Sequence, residues 1–175
     1  MSVHFHGTGG RTLLFERIVS DGIAHNSYLV GSGGKAAVID PRRDCDIYPE
    51  IAGRNELHIT HIFETHRNED YTIGSLDLQK RCGAEIFHGA RMAFTYGKAV
   101  HEGDSFPLGS LVISVLETPG HTEESISLVV RDTEVSDQPY MVFSGDTLFA
   151  GDIARTDFFG EGRKAEMAEK IYNSI

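Results

Sequence analysis

Short apolar runs, broken by glycine-rich and polar turns, dominate the first third of the sequence. Three of them predict the strands of a meander, because Asp-Gly and Gly-Ser-Gly-Gly separate them: residues 12–19, 26–30 and 35–39. The third run ends at a proline, which cannot continue a central strand. Residues 45–54 then predict a short helix, and residues 57–63 a further strand.

The rest of the chain alternates between helical and strand periodicity. Residues 73–82 predict a helix with Thr72 as N-cap and Gly83 as a left-handed C-terminal residue. Residues 163–173 predict an amphipathic helix, one side of which carries Met167, Ala168, Ile171 and Tyr172. The intervening runs predict strands at residues 84–87, 125–130 and 139–144, and a hairpin over residues 105–117.

The order of these elements favours a layered α/β sandwich over a doubly wound parallel sheet, because strands outnumber helices and the helices lie between or after strand groups. A chain of 175 residues is long enough for one domain with a real core and short for two. We therefore expect a single domain over residues 1–175. The sequence stops within or just after the last predicted helix, so we also expect a C-terminal element to be missing.

Composition excludes several classes of function. A net charge of −10 argues against nucleic-acid binding, which needs a basic face. No apolar run reaches the roughly 18–20 residues that cross a bilayer, and the N-terminus lacks the features of a secretory signal. Cys45 and Cys82 are far apart and form no C-x-x-C pair, so we expect no disulfide and a cytoplasmic location.

Candidate chemistry lies where three predicted strands end. His66, His121 and Asp146 each stand in a polar turn that directly follows an apolar run. Functional residues of layered α/β folds collect in loops beyond one edge of the sheets, so we expect these three side chains to meet. Two imidazoles and one carboxylate suit a non-haem Fe(II) with open positions, or a catalytic zinc.

The remaining histidines lack this placement. His4 and His6 are expected on the surface near the N-terminus, while His58 and His61 lie inside a strand and are expected to be structural. Three others have no ligand-like partners nearby in sequence: His25, His88 and His101. No G-x-S-x-G elbow is present and neither cysteine has a base positioned in sequence, so covalent catalysis has little support.

The three turns resemble the motifs of the metallo-β-lactamase superfamily, which are T-H-x-H-x-D-H, then P-G-H-T, then G-D. Thr65-His66 and Asp70 match the first motif, residues 119–122 the second, and Gly145-Asp146 the third. The order and spacing match over nearly the whole chain. The resemblance implies a metallo-β-lactamase-like, four-layered αββα sandwich.

The first motif departs from the family pattern at two positions. Asn68 and Tyr71 stand where the family has histidines. Hydrolytic members bind two metals, and each of the two sites would here lose one histidine. The departure argues against a binuclear hydrolytic centre.

One branch of the superfamily, the persulfide dioxygenases, tolerates the loss of these histidines. Its single iron is bound by residues that correspond to His66, His121 and Asp146. The stretch that includes Gly145–Phe149 and Ala154–Phe158 is also similar to the G-D-x-L-x…R-T-D-F stretch of that branch. The resemblance implies one Fe(II) per chain and oxidation of a thiol persulfide, such as glutathione persulfide, by O₂ to sulfite and thiol. Because bacterial members are fused to rhodanese domains, it also implies a link to a rhodanese-type sulfurtransferase.

The same resemblance gives supporting roles to residues around the metal. Asn68, Asp70 and Tyr71 would orient a ligand or bond to a group bound at the metal. Arg155 would bind a carboxylate of the thiol, because its planar fork suits bidentate pairing. An ion pair with a neighbouring aspartate, Asp157 or Asp152, is the structural alternative for Arg155.

Two other functions stay open from the sequence. A glyoxalase II-like thioester hydrolase would use zinc on the same three residues, since zinc lowers the pKa of bound water. A drifted domain would instead keep the fold as a non-catalytic metal-binding or interaction module. In that case homo-oligomerisation would cover a sheet edge left exposed by a missing segment.

Overall fold

Two β-sheets stack face to face in the computed structural model, which describes residues 2–6, 12–67 and 71–175. The larger sheet has seven strands in chain order, antiparallel from β1 to β4 and parallel from β4 to β7. Its strands are β1 (Ser2–His6), β2 (Thr12–Ser20), β3 (His25–Ser32), β4 (Lys35–Ile39), β5 (His58–Glu64), β6 (Glu85–Gly89) and β7 (Lys98–Val100).

The smaller sheet is antiparallel, with four strands in the order β11-β10-β9-β8. These strands are β8 (Ser105–Leu108), β9 (Leu111–Glu117), β10 (Ile126–Asp132) and β11 (Met141–Phe143). A short ribbon follows, formed by β12 (Leu148–Phe149) and β13 (Asp152–Ile153). The helices are α1 (Ile47–Arg54), α2 (Ser75–Cys82) and α3 (Lys164–Ser174), and a 3₁₀ turn at Glu161–Arg163 precedes α3.

Alternating burial in the strands builds the core between the sheets. In β9, Leu111, Ile113 and Val115 are buried and face the larger sheet, where Phe63 and Phe87 lie in the same cluster. The two phenylalanine rings are 5.3 Å apart, within the range of favourable aromatic pairs. Central strands of the larger sheet are also buried on their other face, which explains their near-continuous apolar sequence.

Helices α1 and α2 cover that other face of the larger sheet. They connect parallel strands, α1 between β4 and β5 and α2 between β5 and β6. Tyr48 from α1 and Leu78 from α2 are fully buried against Val38 and Ile62. Helix α3 instead packs against the loop before β10, where its Ile171 side chain touches Gly120. This layering confirms the predicted layered α/β sandwich.

Most predicted elements are present, but the predicted N-cap of α2 and the predicted buried face of α3 are wrong. Thr72 is not the N-cap of α2, because Ile73 bridges to Arg42 and keeps the chain extended until Gly74. Gly83 does end this helix in the left-handed conformation. In α3, Tyr172 is 82% exposed and only Met167 and Ile171 are buried, so its buried face is narrower than predicted.

Of the strands formed by the described residues, the sequence analysis missed four. Three of them are very short: β7, β12 and β13. The fourth is β1, which lies before the first predicted strand and pairs with β2. His4 and His6 lie in β1, but their side chains fall outside the described part of the chain. No helix in the described ranges is long and apolar enough to cross a membrane. The cytoplasmic location stays a prediction.

Tight backbone contact between the sheets leads to a first prediction. A Cβ added to Gly89, in β6, would lie 1.9 Å from the Glu124 carbonyl oxygen. We expect Gly89→Ala to lower the free energy of unfolding by about 1–3 kcal/mol, measured by urea denaturation, because the backbones must move apart.

The matched control is Gly53→Ala, since Gly53 lies in α1 with nothing within 4 Å of an added Cβ. There we expect a gain of about 0.5–1 kcal/mol from the higher helix propensity of alanine. Equal stability of Gly89→Ala and the wild type would show that the two sheets do not meet this closely.

Candidate metal centre

The three strand-end residues singled out by the sequence meet at one edge of the sandwich. The side-chain ligand atoms of His66, His121 and Asp146 all lie within 4.8 Å of one another. Asp146 Oδ2 is 3.9 Å from His66 Nε2 and 3.8 Å from His121 Nε2. The two imidazole rings are perpendicular, with centroids 5.0 Å apart, so their Nε2 atoms can point at a common centre.

This geometry fits a metal ion. Two atoms that each lie about 2.1 Å from one ion are at most about 4.2 Å apart, and both separations between imidazole and carboxylate satisfy that limit. The Asp146 side chain is 42% exposed, so the site has an open side where a water or a substrate can enter. Three nitrogen and oxygen ligands with an open position are typical of a catalytic metal site.

His66 is oriented by a chain of hydrogen bonds behind it. Its Nδ1 lies 3.0 Å from Thr65 Oγ1, and the Thr65 hydroxyl donates to Asp40 Oδ2 at 2.7 Å. Because that hydroxyl hydrogen is used by Asp40, Thr65 Oγ1 accepts a hydrogen bond from His66 Nδ1–H. The imidazole is therefore held as the tautomer whose Nε2 lone pair faces the metal site.

Asp40 is a candidate functional residue that the sequence analysis missed. Its carboxylate is buried and also accepts the Thr65 backbone N–H at 2.8 Å. Burial raises the pKa of Asp40 to about 7, although both hydrogen bonds from Thr65 act to lower this pKa. The sequence signal was only that Asp40 directly follows β4. The structure adds that β4 and β5 are parallel neighbours whose carboxyl ends share an edge.

His121 is held differently. Its Nδ1 is buried and has no hydrogen-bond partner among the described residues. The ring instead contacts Phe158, with centroids 5.7 Å apart. Helix α3 and the 3₁₀ turn before it anchor the loop, because Lys170 of the helix and Arg163 of the turn both pair with Glu123. The orientation of this imidazole therefore depends on how its loop is held.

A cavity of about 470 Å³ opens beside the site. His66 and Asp146 form part of its wall, and the aromatic rings of Phe15, Tyr28 and Phe143 form an apolar side. Such a mixed lining, with a few polar groups converging on one end, is typical of small-molecule sites.

His25 and Tyr71 complete the polar end of this cavity. The His25 Nε2–H donates to the Asp40 carbonyl oxygen at 3.0 Å, and Nδ1 accepts from the Ser20 hydroxyl at 2.8 Å. Burial lowers the pKa of His25, in agreement with a neutral ring. The Tyr71 ring lies against His25 with centroids 3.8 Å apart, and burial raises the pKa of its phenol. His25 thus lies at the candidate site without belonging to its ligand set, a position that the sequence analysis did not assign to it.

The other residues given roles from sequence lie in different places. Asn68 and Asp70 fall outside the described residues, and their roles stay predictions. Arg155 forms a bidentate ion pair with Asp157, at 2.7 and 3.0 Å, and lines a groove beside α3. This is the structural alternative named above, and a role in substrate binding stays a prediction.

The sequence was then compared with known proteins. The profile of the metallo-beta-lactamase superfamily matches residues 20–174. The chain belongs to the metallo-beta-lactamase superfamily. The fold prediction made from the three motifs is therefore confirmed, and this fold binds metal.

Solved structures agree with this assignment. A metallo-beta-lactamase from Staphylococcus aureus subsp. aureus COL is 32% identical with a TM-score of 0.85, and the match covers 93% of this chain and 50% of that one. ETHE1 from Myxococcus xanthus is 31% identical with a TM-score of 0.78, over 91% of this chain and 67% of that one. The similarity to ETHE1 supports the branch of the superfamily that the motifs indicated, the persulfide dioxygenases.

Curated relatives carry a different activity. A hydroxyacylglutathione hydrolase of Rhizobium johnstonii is 36% identical over 67% of this chain and 44% of its own length. The mitochondrial hydroxyacylglutathione hydrolase of Saccharomyces cerevisiae is 29% identical over 81% of this chain and 52% of its own length. The chain spans about half the length of the curated relatives it matches.

These relatives contradict the prediction of a mononuclear iron persulfide dioxygenase. The physical reason for the error is that two imidazoles and a carboxylate serve Fe(II) and zinc equally well. The expected partners, a thiol persulfide and O₂, depended on that activity. No described feature tests the predicted oligomer or the link to a rhodanese-type sulfurtransferase.

Removal of one candidate ligand tests the site directly. We expect His121→Ala to lose stoichiometric metal, measured by elemental analysis, while circular dichroism keeps its strand-rich spectrum. The control is His58→Ala, which removes an exposed histidine of β5. A His121→Ala protein with full metal content would show that this imidazole is not a ligand.

The hydrogen bonds behind His66 generate a separate prediction. In Asp40→Asn, an amide NH₂ facing Thr65 Oγ1 would donate to it, so the Thr65 hydroxyl could turn toward His66 Nδ1 and reverse the tautomer. We expect roughly 10–100-fold weaker metal binding, measured by competition with a chelator. Asp44→Asn is the control, because Asp44 is exposed and pairs with Arg42. Unchanged metal affinity in Asp40→Asn would show that Asp40 does not determine the His66 tautomer.

Proposed function

We propose that this chain is a zinc-dependent thioester hydrolase of the hydroxyacylglutathione hydrolase type. The observation that carries the proposal is a three-ligand site with an open side, in a chain whose curated relatives are 28–36% identical hydroxyacylglutathione hydrolases. Because the chain spans about half of those relatives, activity and substrate are inferred for this chain and need direct measurement.

His66, His121 and Asp146 would hold the metal. When bound, zinc polarises a carbonyl group and lowers the pKa of a water molecule, which is the chemistry that thioester hydrolysis needs. Three protein ligands with a vacant position match the usual arrangement of catalytic zinc. The ligand set suits Fe(II) equally well, so we favour zinc because hydrolysis needs a Lewis acid and no change of oxidation state.

The protein's own groups prepare this site in three ways. Asp40 and Thr65 hold the His66 ring, through the hydrogen bonds described above, so that Nε2 faces the metal site. The cavity beside Asp146 offers space for the acyl group of a thioester, and its aromatic side excludes water from one flank. Tyr71 stays protonated because burial raises its pKa, so its hydroxyl can donate a hydrogen bond at the polar end.

Arg155 is proposed to meet a carboxylate of the glutathione moiety. Its present partner Asp157 lies on the surface, and exposed ion pairs contribute only about 0–1 kcal/mol, so a substrate carboxylate can displace it. Phe158, three residues along the chain, contacts the His121 ring. The loop thus runs from the metal site to the arginine, a path that an extended thiol substrate could follow.

The test is hydrolysis of S-lactoylglutathione, a hydroxyacylglutathione, followed by release of free thiol. We expect activity with zinc-loaded protein, loss after chelation, recovery when zinc is added back, and no dependence on O₂. His121→Ala is expected to be inactive and His58→Ala to keep wild-type activity. A protein that binds one or two equivalents of zinc but releases no thiol would contradict the proposal and favour a non-catalytic metal-binding module.

A further inference from the structure

Glu124 is a buried carboxylate placed between the two histidine loops. Its side chain is only 1% exposed. The Oε1 atom accepts two hydrogen bonds, from the Arg67 backbone N–H at 2.7 Å and from the Thr122 hydroxyl at 2.9 Å. Arg67 directly follows His66, and Thr122 directly follows His121. A single oxygen atom therefore joins the residues that come after both candidate ligands.

A second contact brackets His66 from the other side. The Ile126 backbone N–H donates to the Thr65 carbonyl oxygen at 2.8 Å. The residues on either side of His66 are thus both tied to the segment 124–126. Because each bond fixes one flank of the same residue, together they define where the His66 backbone lies relative to the loop that carries His121.

The loop that carries His121 is closed on itself by further bonds. Ser125 Oγ lies 2.7 Å from Thr122 Oγ1 and accepts the Thr122 backbone N–H at 3.2 Å. The Gly120 N–H donates to the Thr122 carbonyl oxygen at 3.0 Å. These bonds hold the turn in one compact arrangement, so a displacement of Thr122 would also displace His121.

Burial of the Glu124 carboxylate does not by itself stabilise the folded protein. Its Oε2 atom is buried and has no hydrogen-bond partner among the described residues. Leaving such a group unpaired away from water costs about 1–3 kcal/mol. An apolar side chain of similar size would avoid this penalty but would leave the Arg67 N–H and the Thr122 hydroxyl without this acceptor, so what distinguishes Glu124 is the pair of loops that Oε1 joins.

We infer that Glu124 is a positioning residue of the metal centre, which sets the separation of the His66 and His121 imidazoles by bridging their loops. His121 is sensitive to this bridge because its Nδ1 has no hydrogen-bond partner in the described structure. The inference rests on the proposed metal ligands and does not depend on thioester chemistry.

The experiment compares Glu124→Leu with Glu124→Gln. Leucine loses both hydrogen bonds of Oε1, whereas glutamine keeps an oxygen that can accept them and places its NH₂ where Oε2 has no partner. We expect Glu124→Leu to bind zinc roughly 10–100-fold more weakly in a chelator competition, as for other groups that orient metal ligands. Glu124→Gln is expected to stay close to the wild type.

Cobalt substitution gives a readout that a general loss of stability would not change. At saturating Co(II), the visible absorption bands report ligand geometry. We expect altered bands in Glu124→Leu and wild-type bands in Glu124→Gln. The stability control is Ser27→Ala, which removes a buried hydrogen bond to Tyr48 on the helix side of the larger sheet. This variant is expected to lose stability while keeping zinc affinity and the cobalt spectrum.

Three results would overturn the inference: wild-type affinity and spectrum in Glu124→Leu, equal loss in both Glu124 variants, or a comparable change in Ser27→Ala. If Glu124→Leu does not fold, Thr122→Val removes one of the two bonds, and unchanged zinc affinity there would count equally against it. Failure of the wild type to hydrolyse thioesters, with these metal-binding differences intact, would refute the proposed function and leave this inference standing.

Discussion

The hydrogen bond from the Ile126 N–H to the Thr65 carbonyl oxygen joins the two sheets where the candidate ligands lie. It connects the end of β5 in the larger sheet to the beginning of β10 in the smaller one. Without this connection, the two histidines would belong to separate layers with no fixed spacing. Gly89 allows the close approach, because any side chain there would strike the Glu124 backbone.

Buried acidic groups concentrate around this connection. Asp40, Glu64 and Glu124 are all buried, and each lies at or next to the turns that carry the ligands. Burial raises the pKa of Asp40 and of Glu64, which shows that this region disfavours negative charge by desolvation. A divalent cation at the site would supply the opposite charge and favour the ionised form of these groups. Metal binding and the local fold should therefore be coupled.

The sequence predicted the layers and the three ligands for the same physical reason. Strand alternation and polar turns are local signals, and loops at one edge of a sheet converge without any further information. Asp40 was missed because its role depends on β4 and β5 being parallel neighbours, which the apolar runs alone do not reveal. Thr72 was misassigned because the Arg42–Ile73 bridge is a tertiary contact. Glu124 looks like an ordinary acidic turn residue until both loops are folded.

The candidate ligand set restricts the number of metal ions at the site but does not by itself identify the reaction. The sequence has Asn68 and Tyr71 in place of two histidines of the family pattern, so the described ligands favour one metal ion. Burial and nearby carboxylates raise the pKa of the Tyr71 phenol, so its hydroxyl lies at the site in the neutral form. A single zinc ion is nevertheless sufficient to lower the pKa of water to about 7. Binding of a single metal ion is therefore compatible with hydrolysis, provided that the protein orients the two imidazoles as firmly as the Asp40 and Glu124 contacts allow.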